Sequence, residues 1–273
     1  MHATSAWNDY LSRLEPDTRT LVLEAGLVAE GAAEPLEQLP DLGRFSALEQ
    51  LEVAHHALQD LAPLAGLTQL QLLDVSYNAV ESLLPLAAHS RLHTLLAAHN
   101  RIAHLDSLLD LPCLRTLSLS GNPLENLAGL HRTPGLHRLY LKQCKLQDWH
   151  SLLPLQELQE LYLSADHLAP LSALAHLPGL RRLHLTARHA HSTAGLEALG
   201  QLEELTLTGA QALADVSPLG QLGHLKKLAL PFSALTSIDF ARDMQALEVL
   251  DLRGTPLAGR LNPAAWPFRL ILA

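Results

Sequence analysis

The sequence predicts an α/β solenoid, a stack of short parallel strands joined by thin returns. Three observations carry this prediction. Leu48, Leu70, Leu92, Leu114, Leu136, Leu158, Leu180 and Leu202 recur at a constant interval of 22 residues. Each opens the same phrase, Leu-x-x-Leu-x-(Leu/Val)-x-x-(Asn), and two more copies start at Leu225, after one inserted residue, and at Leu247. Within each copy the apolar spacing then changes from two to three. A fixed period of this length marks a chain in which every repeat buries its apolar edge against its neighbours.

Such a stack needs caps, because its terminal repeats would otherwise expose apolar edges. Trp7, Tyr10, Leu11 and Leu14 fall at helical spacing on a polar background. Ser5 to Leu14 therefore reads as a short amphipathic helix, within a cap of residues 1–17. Leu21 and Leu23 supply a first strand, and residues 18–261 read as the repeat array. The first repeat carries about eight extra residues near Glu30–Leu36, ahead of Leu39, Leu42 and Phe45.

Along the array, the fourth position is leucine from Leu51 and Leu73 through to Leu228 and Leu250, and the sixth runs from Val53 to Leu252. Apolar residues two apart with variable residues between them predict a short strand with one buried face. Successive strands run parallel, because each repeat turns once and returns to the same side. After the strand, runs such as Leu58, Leu61, Leu64, Leu67 and Leu168, Leu171, Leu174, Leu177 are spaced by three, with Pro63, Pro85 and Pro218 among such returns. That spacing and those prolines suit 3₁₀ turns or extended chain better than an α-helix.

The ninth position holds Asn78, Asn100 and Asn122, then Cys144 and Asp166. A buried amide satisfies both donors and acceptors of a turning backbone, so this column predicts a polar ladder. It degrades to Arg188, then Ala210 or Gln211, Ser233 and Thr255, which predicts a less regular C-terminal third. Residues 262–273, with Trp266, Phe268 and Leu270–Leu272, read as a C-terminal cap, an exposed docking tail being the alternative.

The repeat resembles the 22-residue class of leucine-rich repeat proteins, which includes the listeria-type internalins and the nuclear regulatory subunit of protein phosphatase 1. The resemblance covers Thr18 to about Leu261. It implies a leucine-rich repeat horseshoe with a concave parallel sheet of about ten or eleven strands, a convex side of 3₁₀ and extended segments, and a habit of binding through the concave face.

Composition narrows the function. Residues 1–113 hold 15 acids and 5 bases, residues 114–201 hold 6 and 8, and residues 202–273 hold 7 and 6, for a net charge of −9. That balance argues against nucleic acid and anionic membrane as partners, while a graded field suits the orientation of one protein partner. The first twenty residues contain no apolar run, so no secretory signal is expected. The two cysteines, Cys113 and Cys144, occupy different corners of the repeat and are not expected to pair. These features fit a reducing cytoplasm, and a composition rich in Ala, Leu, His and Gln and low in Lys fits a bacterial source.

Motifs for chemistry are missing: there is no Gly-rich phosphate loop, paired-Cys zinc pattern, His-Glu-x-x-His helix or Gly-x-Ser-x-Gly elbow. His189 and His191 beside Arg188 form a lone pair, and neither His184 nor His167 completes a four-ligand set. Cys144 sits at a column that predicts a buried, inert thiol. No enzyme activity, metal or cofactor is expected.

The exposed strand positions form a map for a partner. Position five carries Tyr140, Tyr162 and His184, position three carries Arg138 and Arg182, and Lys142 stands at position seven. Tyr and Arg are enriched at interface hot spots, so this cluster is the first candidate for a partner with an acidic surface and an apolar anchor. A second group, His55, Tyr77, His99, Leu72 and Leu96, lies toward the acidic end. The alternative is that these aromatics merely pair across strands. The expectation is a cytoplasmic, non-enzymatic module, a monomer when unbound, serving as a bacterial immunity or scaffold protein. A delivered effector acting on a host protein and a self-assembling structural protein are the alternatives.

Overall fold

The computed structural model describes residues 2–24, 35–105, 111–147, 152–165 and 171–273. It forms two compact units, Met1–Cys144 and Lys145–Ala273. The ladder position Asp166, together with His167, Leu168 and most of the Glu30–Leu36 insertion, lies outside the described residues.

The first unit opens with helix α1, His2–Ser12. Trp7 and Leu11 are buried in it. The helix ends before the expected Leu14, because Arg13 and Leu14 donate to Tyr10 and Leu11 in a tighter turn just ahead of Pro16. The residue before a proline is pushed out of the helical region, which leaves no room for another α-turn. Among the described residues six strands follow: β1 (Thr20–Val22), β2 (Gln50–Glu52), β3 (Leu72–Asp74), β4 (Thr94–Leu96), β5 (Thr116–Ser118) and β6 (Arg138–Leu141). Neighbours pair in parallel and in register, so Leu21, Leu51, Leu73, Leu95, Leu117 and Leu139 form one column. Every member of that column is buried. Full burial of such a side chain stabilises by about 1.5–3 kcal/mol.

The second unit contains β7 (Glu160–Ser164), β8 (Arg182–Thr186), β9 (Glu204–Thr208), β10 (Lys227–Ala229), β11 (Val249–Asp251) and β12 (Arg269–Ile271). They too pair in parallel and in order. Strand β12 adds one strand to the expected sheet. It arises within residues 262–273, where Leu252 N–H donates to Ile271 O at 2.8 Å and Phe268 is buried.

Returns in both units are 3₁₀ turns, among them Ala62–Leu64, Leu84–Leu86, Leu196–Ala198 and Ser217–Gln221. Pro63, Pro85 and Pro218 stand in the first positions of such turns, where the missing N–H costs no hydrogen bond.

In the first unit the ninth position forms the expected polar ladder. Asn100 Oδ1 accepts from Val80 N–H at 2.9 Å, and its Nδ2 donates to Val75 O at 2.9 Å and Ala97 O at 3.2 Å. Asn78 and Asn122 repeat the pattern one step to either side. The ladder starts one repeat earlier than its asparagines do. His56, buried at the same column, sets its Nδ1 3.1 Å from Leu36 N and its Nε2 2.7 Å from Leu23 O. A carbonyl only accepts and a backbone N–H only donates, so Nε2 carries the proton and the ring is a neutral Asn substitute. At the ladder's far end Cys144 reaches Leu119 O at 3.5 Å. Burial pushes its thiol up to about 11, which keeps it un-ionised and unreactive near neutral pH.

The second unit manages the column differently. Ala210 is the buried ninth residue, and Ser233 and Thr255 donate only to the carbonyl three residues back. The strands nevertheless lengthen, β8 and β9 running five residues each. Thr186 and Thr208 contribute, their hydroxyls 3.2 Å apart across the two strands. The expected loss of regularity does not reach these strands.

Candidate protein-binding face

Strand alternation turns positions three, five and seven away from the buried leucines. Position eight lies just past the strand and is left-handed at His55 (φ 61°), Tyr77 (56°), His99 (54°), Gln143 (59°) and Phe232 (58°), with Gly121, Gly209 and Gly254 in the same column, but not at Ala165 or Ala187. The turn is fixed from the next repeat. His55 N–H donates to Ser76 O, Tyr77 N–H to Ala98 O and His99 N–H to Ser120 O, at 3.0, 2.8 and 2.7 Å. Left-handed backbone at a non-glycine residue costs about 1–3 kcal/mol and persists only where surrounding structure imposes it.

In the first unit this column builds an aromatic stack. His55 and Tyr77 lie 4.3 Å apart at 10°, and Tyr77 and His99 lie 4.4 Å apart at 14°. The stack ends against Gly121, where an added Cβ would come within 2.5 Å of His99 Nδ1. Tyr77 remains 47% exposed. Glu52 and Asp74 are in register across β2 and β3, and on β3 and β4 Leu72 stands opposite Thr94 and Leu96 opposite Asp74, which sets the two leucines on a diagonal. The sequence carried a signal for the left-handed turn, since Gly121, Gly209 and Gly254 share the aromatics' column. Ring stacking at that turn was not legible from strand alternation.

The tyrosine cluster divides between the two units. In the first, Tyr140 is half-buried on β6 beside Ser118 of β5, with Arg138 exposed and Lys142 half-exposed just beyond the strand. In the second, Tyr162 lies flat on His184 at 4.2 Å and 6°. Burial raises the Tyr162 hydroxyl pKa, and the Glu160 carboxylate adds to the effect.

Arg182 is not an uncompensated basic edge. It pairs with Glu160 and stands 4.0 Å from Glu204, which in turn bonds Lys227 at 2.8 Å. The next column repeats the arrangement, with Glu203 between Arg181 and Lys226 at 2.7 and 2.8 Å. Register causes both rows: opposite charges at one repeat position land side by side on neighbouring strands. Phe232, 61% exposed, is the second unit's left-handed aromatic and lies against Gly254.

Among the described residues no three His, Cys, Asp or Glu side chains converge as metal ligands. Both cysteines are free thiols. No helix among the described residues is long and apolar enough to cross a membrane.

No family model matches the chain, and no curated protein matches it. Solved structures do. An internalin, inlF of Listeria monocytogenes, is similar at a TM-score of 0.71 and 18% identity, over 92% of this chain and 81% of its own. A leucine-rich repeat protein of Leptospira interrogans is similar at 0.64 and 20%, over 88% and 67%. TLR13, solved in complex with ssRNA13, is similar at 0.58 and 18%, over 87% of this chain and 43% of its own. At these identities the likeness concerns the fold, and it agrees with the 22-residue period, the leucine columns and the asparagine ladder. By its repeat and by its fold, the chain is a leucine-rich repeat solenoid.

Proposed function

We propose that the chain is a non-enzymatic interaction module that binds one protein partner through the exposed face of its strands. The observation that carries this reading is the presentation of aromatic rings on that face at fixed register, Tyr162 on His184 foremost. A sheet holds such rings with little conformational freedom left to lose on binding, and Tyr is enriched among interface hot spots. Tyr140, beside Arg138 and Lys142, is the first unit's contact, and Tyr162 with His184 and Arg182 is the second's. An apolar anchor rimmed by acidic groups fits the Arg138 and Lys142 side. Free cysteines and the composition favour a bacterial cytoplasm, where an immunity or scaffold role suits a binding module. The test is affinity capture from native lysate with the wild-type chain and a Tyr140→Ala/Tyr162→Ala variant whose fold is verified by circular dichroism. The wild type should retain one partner that the double variant loses; equal capture by both would overturn the reading.

A further inference from the structure

His55, Tyr77 and His99 hold a backbone conformation that glycine adopts freely, and glycine takes the same position in the next repeat, at Gly121. Aromatic side chains thus occupy, in three consecutive repeats, a left-handed position that glycine fills at lower cost. Strained positions of this kind cluster at ligand-binding surfaces. The rings form one continuous stack. Leu72 and Leu96 lie half-buried on the neighbouring strand positions.

Charge says what this surface takes. Glu52 and Asp74 stand on the same strands, and Glu24 follows the first. Among the described residues no Lys or Arg pairs with Glu24, Glu52 or Asp74, unlike the compensated glutamates of the second unit. His55, Glu24 and Glu52 line an open hollow of about 270 Å³, with Val22, Leu23 and Ala54 as its apolar walls. An aromatic stack beside uncompensated carboxylates matches a planar, delocalised cation. Tyr77 is covered on both faces by its neighbours and His99 abuts Gly121, so the end face of the stack is that of His55, in the hollow with Glu24 and Glu52. A guanidinium stacks on such a face and bonds a carboxylate through two parallel N–H groups, whereas a Lys ammonium is a compact, strongly hydrated point charge. Phosphate-bearing polymers are repelled by the same carboxylates.

We propose that the His55–Tyr77–His99 stack, with Glu52 and Asp74, binds an arginine-bearing segment of the partner protein. The assignment rests on the protein-binding reading above and adds the chemistry of the acidic end. A single partner then meets opposite charge preferences along the chain: arginine at this stack, acidic groups near Arg138 and Lys142. The graded charge of the sequence acquires a role in fixing the partner's orientation.

The test titrates the full chain with the peptide acetyl-Gly-Arg-Gly-Arg-Gly-amide while the ring proton resonances of His55, Tyr77 and His99 are followed by NMR. Saturable shifts confined to those rings are expected. The citrulline peptide, equal in shape but uncharged, should bind about fivefold more weakly or worse. Tyr77→Gly should keep the melting temperature and lose the response, and Glu52→Gln/Asp74→Asn should lose it with the stack intact. Equal binding of the citrulline peptide, an unchanged response in the Glu52→Gln/Asp74→Asn variant, or ring shifts caused instead by a single-stranded oligonucleotide would overturn the assignment. Failure here, with capture still sensitive to Tyr140→Ala/Tyr162→Ala, removes the arginine site and leaves the binding face. The reverse outcome, a peptide response without a captured partner, removes the wider reading alone.

Discussion

Replacing Asn100 with leucine isolates what the ladder contributes. The side chain makes four hydrogen bonds, but their loss is unequal. Val75 O keeps its bond from Asn78 Nδ2 at 2.9 Å, and Ala97 O keeps its bond from Asn122 Nδ2 at 2.9 Å. Ala98 O keeps Tyr77 N–H at 2.8 Å. Val80 N–H has Asn100 Oδ1 as its acceptor, and in the variant it becomes a buried donor without a partner. An orphaned donor costs about 1–3 kcal/mol, and the weakened carbonyl bonds add a fraction more. We expect Asn100→Leu to lose about 2–3 kcal/mol, which lowers the melting temperature by roughly 4–12 °C in a chain of this size. Thr94→Ala, at an outward strand position of the same repeat, should melt within about 0.5 kcal/mol of wild type. Hydrogen exchange adds a local readout, because the Val80 amide should lose protection more than its neighbours do. If the two variants melt together and Val80 stays protected, the inward backbone is satisfied by something other than the ladder, and the reasoning fails.

Three further outcomes follow from the same structure. His56→Leu should cost about 1–3 kcal/mol while His55→Ala is near neutral in thermal melts, because only the former removes partners from Leu36 N–H and Leu23 O; equal melting would contradict the substitution of a histidine for an asparagine. His89 is fully buried in a column otherwise rich in leucine, with Nε2 on Leu64 O and Nδ1 without a hydrogen-bond partner among the described residues, and burial lowers its pKa below 6.5. The unfolded chain therefore takes up this proton first, so the stability linked to a neutral ring is complete above about pH 6.5 and lost as pH falls below it. His89→Leu should flatten that part of the stability–pH curve, and an unchanged slope from denaturant titrations would refute the assignment. If graded charge orients the partner, stopped-flow association should slow markedly with added salt while dissociation barely moves; salt-independent rates would leave the gradient a matter of solubility.

How much of this was legible in the sequence depends on whether a feature repeats. The leucine columns and the 3₁₀ returns recur at fixed offsets, so the period alone places Leu51 and Leu73 in the core and Pro63 and Pro85 in the turns. Asn78, Asn100 and Asn122 are legible for the same reason. His56 was not, because a histidine imitates an asparagine only when acceptor and donor lie at the right separation, and that geometry is not written in spacing. Strand β12 was obscured because Arg269–Ile271 carries no copy of the repeat phrase. For the candidate face, outward positions followed from alternation, yet Arg182's engagement by Glu160 and Glu204 required register between repeats to be read as charge pairing. The left-handed turn at His55, Tyr77 and His99 was visible only as glycines elsewhere in the column.

The central claim, that the exposed face of the strands is the binding surface, is tested most directly by comparing two kinds of surface deletion against the captured partner in titration calorimetry. One variant truncates the strand face, Tyr140→Ala with Tyr162→Ala. The other truncates exposed leucines on the returns, Leu84→Ala with Leu153→Ala, residues that are 55% and 36% exposed. Loss of a central tyrosine costs roughly 2 kcal/mol or more, about thirtyfold in Kd. At least that loss is expected for the strand-face variant and an unchanged Kd for the return-side variant; full affinity in the first together with weakened binding in the second would place the binding surface elsewhere.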